Sequence, residues 1–380
     1  GHPSRLRWSL RGVSEGFRFE VLQHSARSNA RLGRLYTPHG VIETPVFMPV
    51  GTQATVKTLS QEELETLGFP IILGNTYHLY LRPGAERMAR LGGLHRFMSW
   101  SRAILTDSGG YQVFSLSSLR KIDEDGVTFR SHLDGSEHRF TPERSIGVQA
   151  QLGSDIVMAF DECPPYPASR EEVARAAERT YQWALRCRSA WQTHQEQRFQ
   201  QGLHPQALFG IFQGGVYDDL RQMSLEQITS LDLPGYAIGG TAVGEPIEEM
   251  YRIVAEFAPR MPADRPRYLM GVGMPDDIRR AVQSGVDMFD CVLPTRMARH
   301  SVVFTAQGRL NLRNARFAEC QDPIDPECTC TVCQRYSLAY IHHLFRAQEM
   351  LGYRLASYHN LHYYARWMES LRAAIRAGEL

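Results

Sequence analysis

Short apolar runs alternate along this chain with polar or glycine-rich turns, and amphipathic stretches often follow the turns. Residues 103–105, 155–160, 207–212, 235–238, 267–270 and 286–289 read as strands. Residues 142–152, 169–200, 216–231, 246–260 and 275–284 carry the spacing of helices that bury one face. Strand then helix, repeated, predicts parallel βαβ units. A doubly wound open sheet and a closed (β/α)8 barrel both satisfy that pattern. Polar residues stand just after most of the strands: Asp107, Asp161, Gln213, Gly239, Gly271 and Asp290. In a barrel those strand ends converge on one mouth, whereas an open sheet collects ligands mainly at one switch point. No GxGxxG opens a helix here, and the barrel is the expected fold.

Other segments decorate it. Residues 17–50 read as short strands forming a small antiparallel N-terminal sheet. The pairs Asp125-Gly126 and Asp134-Gly135 predict an antiparallel insert over about 122–140, and 301–312 predicts a hairpin turning at Gln307-Gly308. Residues 1–16 are expected to be a tail and 17–380 a single catalytic domain.

Composition narrows the class. The chain has 380 residues and a net charge of +1, so overall charge does not single out nucleic acid as a partner. Its basic residues are nearly all arginine, the two lysines being Lys57 and Lys121. No apolar run approaches the roughly 20 residues that span a bilayer, and residues 1–16 lack the apolar core of a secretory signal. Seven cysteines, an odd number, suit reduced thiols in a cytoplasm better than a disulfide framework.

Three of those cysteines form CxCxxC at Cys328, Cys330 and Cys333. Three thiolates on one short loop suit a tetrahedral zinc ion. The fourth ligand is open on spacing alone, with His359, His362, His342, His343 and Cys320 all available. A closed site of this kind is structural rather than catalytic. The chemistry then belongs to the strand-end carboxylates. Two carboxylates in one mouth suit attack at an acetal-like carbon with proton transfer by the partner. A carboxylate beside a glutamine and glycine-rich backbone can read a purine edge.

The motifs TDSGGYQ at 106–112, FDEC at 160–163, GIFQGG at 210–215, GGTAVGE at 239–245, DCVLPTR at 290–296 and CxCxxC resemble, in this order, those of the tRNA-guanine transglycosylases. The resemblance runs from about residue 17 to the C-terminus. It implies a (β/α)8 barrel with an inserted zinc-binding subdomain over about 315–365. It also implies exchange of guanine at the wobble position of GUN-anticodon tRNAs (Asp, Asn, His, Tyr) for a 7-deazaguanine. By position, Asp290 would be the nucleophile and Asp107 the general acid/base. Asp161, Gln213 and the Gly240 backbone would bind the base and Tyr111 would stack on it. Ser108, Gly109, Gly110, Cys163, Gly239, Thr241, Glu245, Met270 and Gly271 would complete the pocket. Arg296 and Arg299 would meet the RNA backbone. Further arginines around the zinc region, among them Arg309, Arg313, Arg316, Arg335, Arg346 and Arg354, could track phosphates. Cys328, Cys330, Cys333 and His359 would hold one structural zinc per subunit of a homodimer. Cys163 and Val243 point to the bacterial form, which uses 7-aminomethyl-7-deazaguanine. Thr241 stands where bacterial members usually have Leu; its backbone carbonyl, backed by Glu245, would meet the aminomethyl group. A non-catalytic tRNA-binding subunit would not need both Asp107 and Asp290, and a zinc hydrolase would need metal ligands at the strand ends.

Overall fold

The computed structural model describes residues 16–116 and 120–380. The expected tail therefore lies almost wholly outside the described residues. A three-stranded antiparallel sheet comes first: β1 (Arg18–His24), β2 (Arg31–Thr37) and β3 (Gly40–Thr44). The main sheet follows with β4 (Val46–Met48), β5 (Val50–Gly51), β6 (Ile71–Gly74) and β7 (Ala103–Thr106). The insert β8 (Arg120–Asp123), β9 (Gly126–Arg130) and β10 (Glu137–Phe140) interrupts it. It resumes with β11 (Ile156–Met158), β12 (Ala207–Phe212), β13 (Gly235–Ile238), β14 (Arg267–Leu269) and β15 (Met288–Asp290). The hairpin β16 (Val302–Thr305) and β17 (Gly308–Asn311) completes the strands.

The main sheet is parallel, in the order β4-β15-β14-β13-β12-β11-β7-β6-β5. β4 and β5 are two segments of one strand, separated by Pro49. β4 pairs with β15 and β5 with β6, so the sheet closes on itself with eight strand positions. This is the expected (β/α)8 barrel. Strands β6, β7, β12 and β13 are buried at every residue, as parallel strands covered on both faces must be.

The helices that cover it start where the sequence supplies caps. Ser60 and Ser169 form capping boxes with Glu63 and Glu172. Thr141 caps the helix Pro142–Leu152, which has Pro at its first turn. The helices at Pro142–Leu152, Arg170–Gln200, Asp218–Thr229, Ile247–Phe257 and Pro275–Gln283 match the five amphipathic stretches.

The small N-terminal sheet lies across the barrel end opposite the mouth. Arg31 on β2 is fully buried and makes a bidentate pair with Asp287, at 3.0 and 2.7 Å, just before β15. The two hairpin turns fall one residue earlier than the glycine pairs suggest. Gly126 pairs with Asp123 and Gly308 with Thr305, so both glycines already belong to a strand and the loops are Glu124-Asp125 and Ala306-Gln307. In the first, Asp123 Oδ1 accepts from the N–H groups of Asp125 and Gly126, which closes the turn early. Among the described residues, no helix is long and apolar enough to cross a membrane.

Candidate active site

Asp107 ends the run of β7 and is almost buried. Asn75 Nδ2 donates to its Oδ2 at 2.6 Å, and the Thr76 N–H donates to Oδ1 at 2.9 Å. Both partners stand at the end of β6, a strand whose polar terminus the sequence reading passed over. Burial pushes the Asp107 carboxyl up to about 6; the bonds from Thr76 and Asn75 oppose this, and the Asp290 charge adds to it. The following Gly109 has φ +84, and a Cβ there would lie 2.9 Å from the Phe140 ring. Ser108 and Gly110 are buried beside it, while Tyr111 is 58% exposed and presents its ring at the mouth.

Asp161, after β11, accepts from Gln213 Nε2 at 2.6 Å. Burial pushes it up to about 7, against the Gln213 bond, with Glu162 and Asp107 adding to the rise. Gln213 Oε1 is buried with no donor among the described residues. A Cβ on Gly240 would sit 2.6 Å from that oxygen, and one on Gly239 would sit 2.6 Å from Gln213 Nε2. The Gly240 N–H faces the Cys163 sulfur, whose thiol burial pushes up to about 12. Thr241 is buried, and its hydroxyl has no partner among the described residues. Glu245 folds back to accept from the N–H groups of Ala242 and Val243 at 3.1 and 2.9 Å.

Asp290 closes β15 and is half-buried. Tyr268 on β14 donates its hydroxyl to Oδ1, and the Gly271 N–H reaches the same oxygen at 2.9 Å. Burial raises the Asp290 carboxyl, and these two donors pull it back. Met270, beside Gly271, is half-buried against the core. Arg296, exposed, and Arg299, half-buried, lie on the helix Leu293–Arg299 that leaves the same strand. Among the described residues neither makes an ion pair, whereas Arg354 is paired with Glu63 at 2.9 Å. Tyr268 on β14 bonds Asp290, and Arg221 on the helix Asp218–Thr229 bonds the Gly239 and Gly240 carbonyls; neither carried a strand-end signal and both were missed.

The sulfurs of Cys328, Cys330 and Cys333 lie 3.7, 3.5 and 3.3 Å from His359 Nδ1. Zinc–sulfur and zinc–nitrogen bonds at a tetrahedral angle place these atoms about 3.6 Å apart, so the four residues fit such a centre. Phe304 O takes His359 Nε2 at 2.6 Å, which aims Nδ1 at the thiolates. His362 comes within 3.7 Å of Cys328 alone. Asn360 ties this centre to the barrel: its Nδ2 donates to Pro294 O and Val302 O, both at 3.0 Å.

A second cluster, His39, His95 and His204, surrounds Asp155 at the start of β11, at the far end of the barrel. His39 and His95 stack at 3.7 Å with 15° between planes. Burial would raise Asp155, but hydrogen bonds from His39 and His95 outweigh it and hold the carboxyl at about 2. These contacts brace the closed end of the barrel around Asp155.

Fold and site together define an α/β-barrel enzyme with three convergent carboxylates and a separate thiolate-rich metal centre. A family model described as queuine tRNA-ribosyltransferase matches residues 26–380. The chain is 57% identical over 363 residues to the queuine tRNA-ribosyltransferase of Caldanaerobacter subterraneus, covering 96% of this chain and 94% of that one. Those of Desulforudis audaxviator and Moorella thermoacetica are each 58% identical, covering 95% of this chain and 94% of theirs. The chain belongs to the queuine tRNA-ribosyltransferase family.

Proposed function

We propose that the chain exchanges guanine at the wobble position of GUN-anticodon tRNAs for 7-aminomethyl-7-deazaguanine by double displacement. The observation that carries this is the grouping of Asp107 and Asp290 with the Asp161–Gln213 pair in one mouth.

Asp290 attacks the ribose anomeric carbon with its unengaged Oδ2, and the glycosidic electron pair leaves with guanine. Asp107, poised near 6, supplies a proton to the departing base and takes one from the incoming base. The second base displaces the carboxylate, and two inversions retain configuration. Asp161 accepts from the ring N–H and exocyclic amine of the base. Gln213 and the Gly240 N–H take its ring carbonyl, and Tyr111 stacks on its face. The Thr241 carbonyl meets the aminomethyl group with Glu245 behind it. The target nucleotide is turned out of its stack to reach this depth, with Arg296 and Arg299 on its phosphates. Cys328, Cys330, Cys333 and His359 would hold a zinc ion that cross-links a subdomain of about residues 315–365. The working form is a cytoplasmic homodimer.

The test is tRNA carrying labelled guanine at the wobble position, incubated with guanine, 7-aminomethyl-7-deazaguanine, queuine or no base. Label released by the first two supports the reading. Release by none of them, or by queuine alone, contradicts it.

A further inference from the structure

We infer that Arg221 is a positioning residue for base exchange, acting through the Gly239–Gly240 peptide. The inference rests on the pocket reading above, in which the Gly240 N–H meets the ring carbonyl of the base.

Arg221 lies on the helix Asp218–Thr229 and is fully buried. Among the described residues it has no carboxylate within salt-bridge distance. All three of its hydrogen bonds go to backbone oxygens: Nε to Gly215 at 2.7 Å, Nη1 to Gly239 at 2.6 Å and Nη2 to Gly240 at 3.1 Å. These carbonyls belong to the loops that follow β12 and β13. Burial lowers the guanidinium to about 10, so it still carries its charge at neutral pH. A buried cation with no carboxylate in contact is costly, and an apolar side chain of similar volume would avoid that cost. What the guanidinium adds is a fixed orientation for two glycine peptides.

The consequence for the base follows from peptide geometry. In a trans peptide the C=O and N–H point opposite ways. Holding Gly239 O on Arg221 turns the Gly240 N–H the other way, toward Cys163. A positive charge behind the carbonyl also polarises the peptide and strengthens the N–H as a donor. When the glycosidic bond breaks, its electron pair passes to the ring nitrogen of the base and spreads onto the ring carbonyl oxygen. A preorganised donor at that oxygen stabilises charge that develops in the transition state. Gly240, at φ +71, leaves room for this: a Cβ there would lie 3.0 Å from Arg221 Nη2.

The experiment compares Arg221→Gln and Arg221→Lys with the wild-type chain. It measures inhibition by guanine and by 2-aminopurine, which lacks the ring carbonyl, together with kcat and KM for tRNA. Arg221→Gln should weaken guanine about tenfold or more, the loss expected when a buried ring carbonyl loses its oriented donor. 2-Aminopurine should stay within about twofold, and kcat/KM for tRNA should fall. Arg221→Lys should recover part of the loss. Equal weakening of both bases, or of neither, would overturn the inference; if Arg221→Gln does not fold, the same comparison on Arg221→Lys decides. A wild-type chain that fails to bind guanine would instead sink the pocket reading.

Discussion

The hydroxyl of Tyr268 and the N–H of Gly271 both donate to the same carboxylate oxygen of Asp290. Among the described residues, the other oxygen takes no hydrogen bond. One oxygen is therefore pinned and charge-stabilised while its twin faces the mouth. Tyr268 itself is fully buried, and burial together with the Asp290 charge raises its hydroxyl well above the usual phenol range. It is therefore a donor at neutral pH.

Tyr268→Phe removes one of the two groups that lower the Asp290 pKa. Burial is then opposed by the Gly271 N–H alone, and the carboxyl rises further. We expect kcat to fall roughly tenfold at pH 7, with KM for tRNA unchanged and the acid limb of the pH profile moved to higher pH. A profile superimposable on wild type would show that the hydroxyl does not tune Asp290.

If Asp161 takes the base as proposed, its pKa of about 7 gives base binding its own pH dependence. A neutral carboxylic acid cannot accept from two N–H groups of the base, so guanine affinity should rise with pH through about 7 and level off above it. Asp161→Asn should abolish that dependence and weaken guanine by about tenfold or more, read by titration calorimetry between pH 5.5 and pH 8.5, on the order of the range the carboxyl titrates over. The sign for stability is opposite. The folded pKa lies above the unfolded 3.8, so ionising Asp161 costs stability as pH rises from 3.8 to about 7.

At the closed end, Asp287 receives Arg31 Nε and Nη2 and also the Arg267 N–H at 2.8 Å. Asp287→Asn leaves a buried guanidinium without its anion and should lower unfolding stability by about 3–5 kcal/mol. Denaturant melts measure this directly. Because the mouth is remote, the folded variant should keep wild-type kcat.

The metal centre should act through structure. A strong chelator is expected to lower the melting temperature and open the C-terminal region to protease, since Asn360 links the His359 helix to Pro294 and Val302. Metal analysis of the purified chain should give one zinc per subunit. A well-folded apoprotein that lost only activity would contradict the structural role.

Legibility in the sequence followed periodicity. Six barrel strands and five covering helices announced themselves by apolar runs and amphipathic spacing. β6 was passed over although Ile71–Gly74 is wholly apolar, and with it went Asn75 and Thr76, the residues that hold Asp107. The thiolates of CxCxxC were visible from spacing. His359 was not, because its place depends on how a 27-residue helix docks on β16. Arg221 and Tyr268 were hidden for a related reason. A buried arginine on a helix and a tyrosine inside a strand look like packing until their hydrogen bonds are seen.

Double displacement as proposed requires Asp290 to be the nucleophile. Its most direct test is denaturing gel electrophoresis of the chain mixed with substrate tRNA and a trapping base, for wild type and Asp290→Asn. Wild type should give a covalent protein–RNA band and a folded Asp290→Asn none. An adduct of equal intensity in that variant would contradict it.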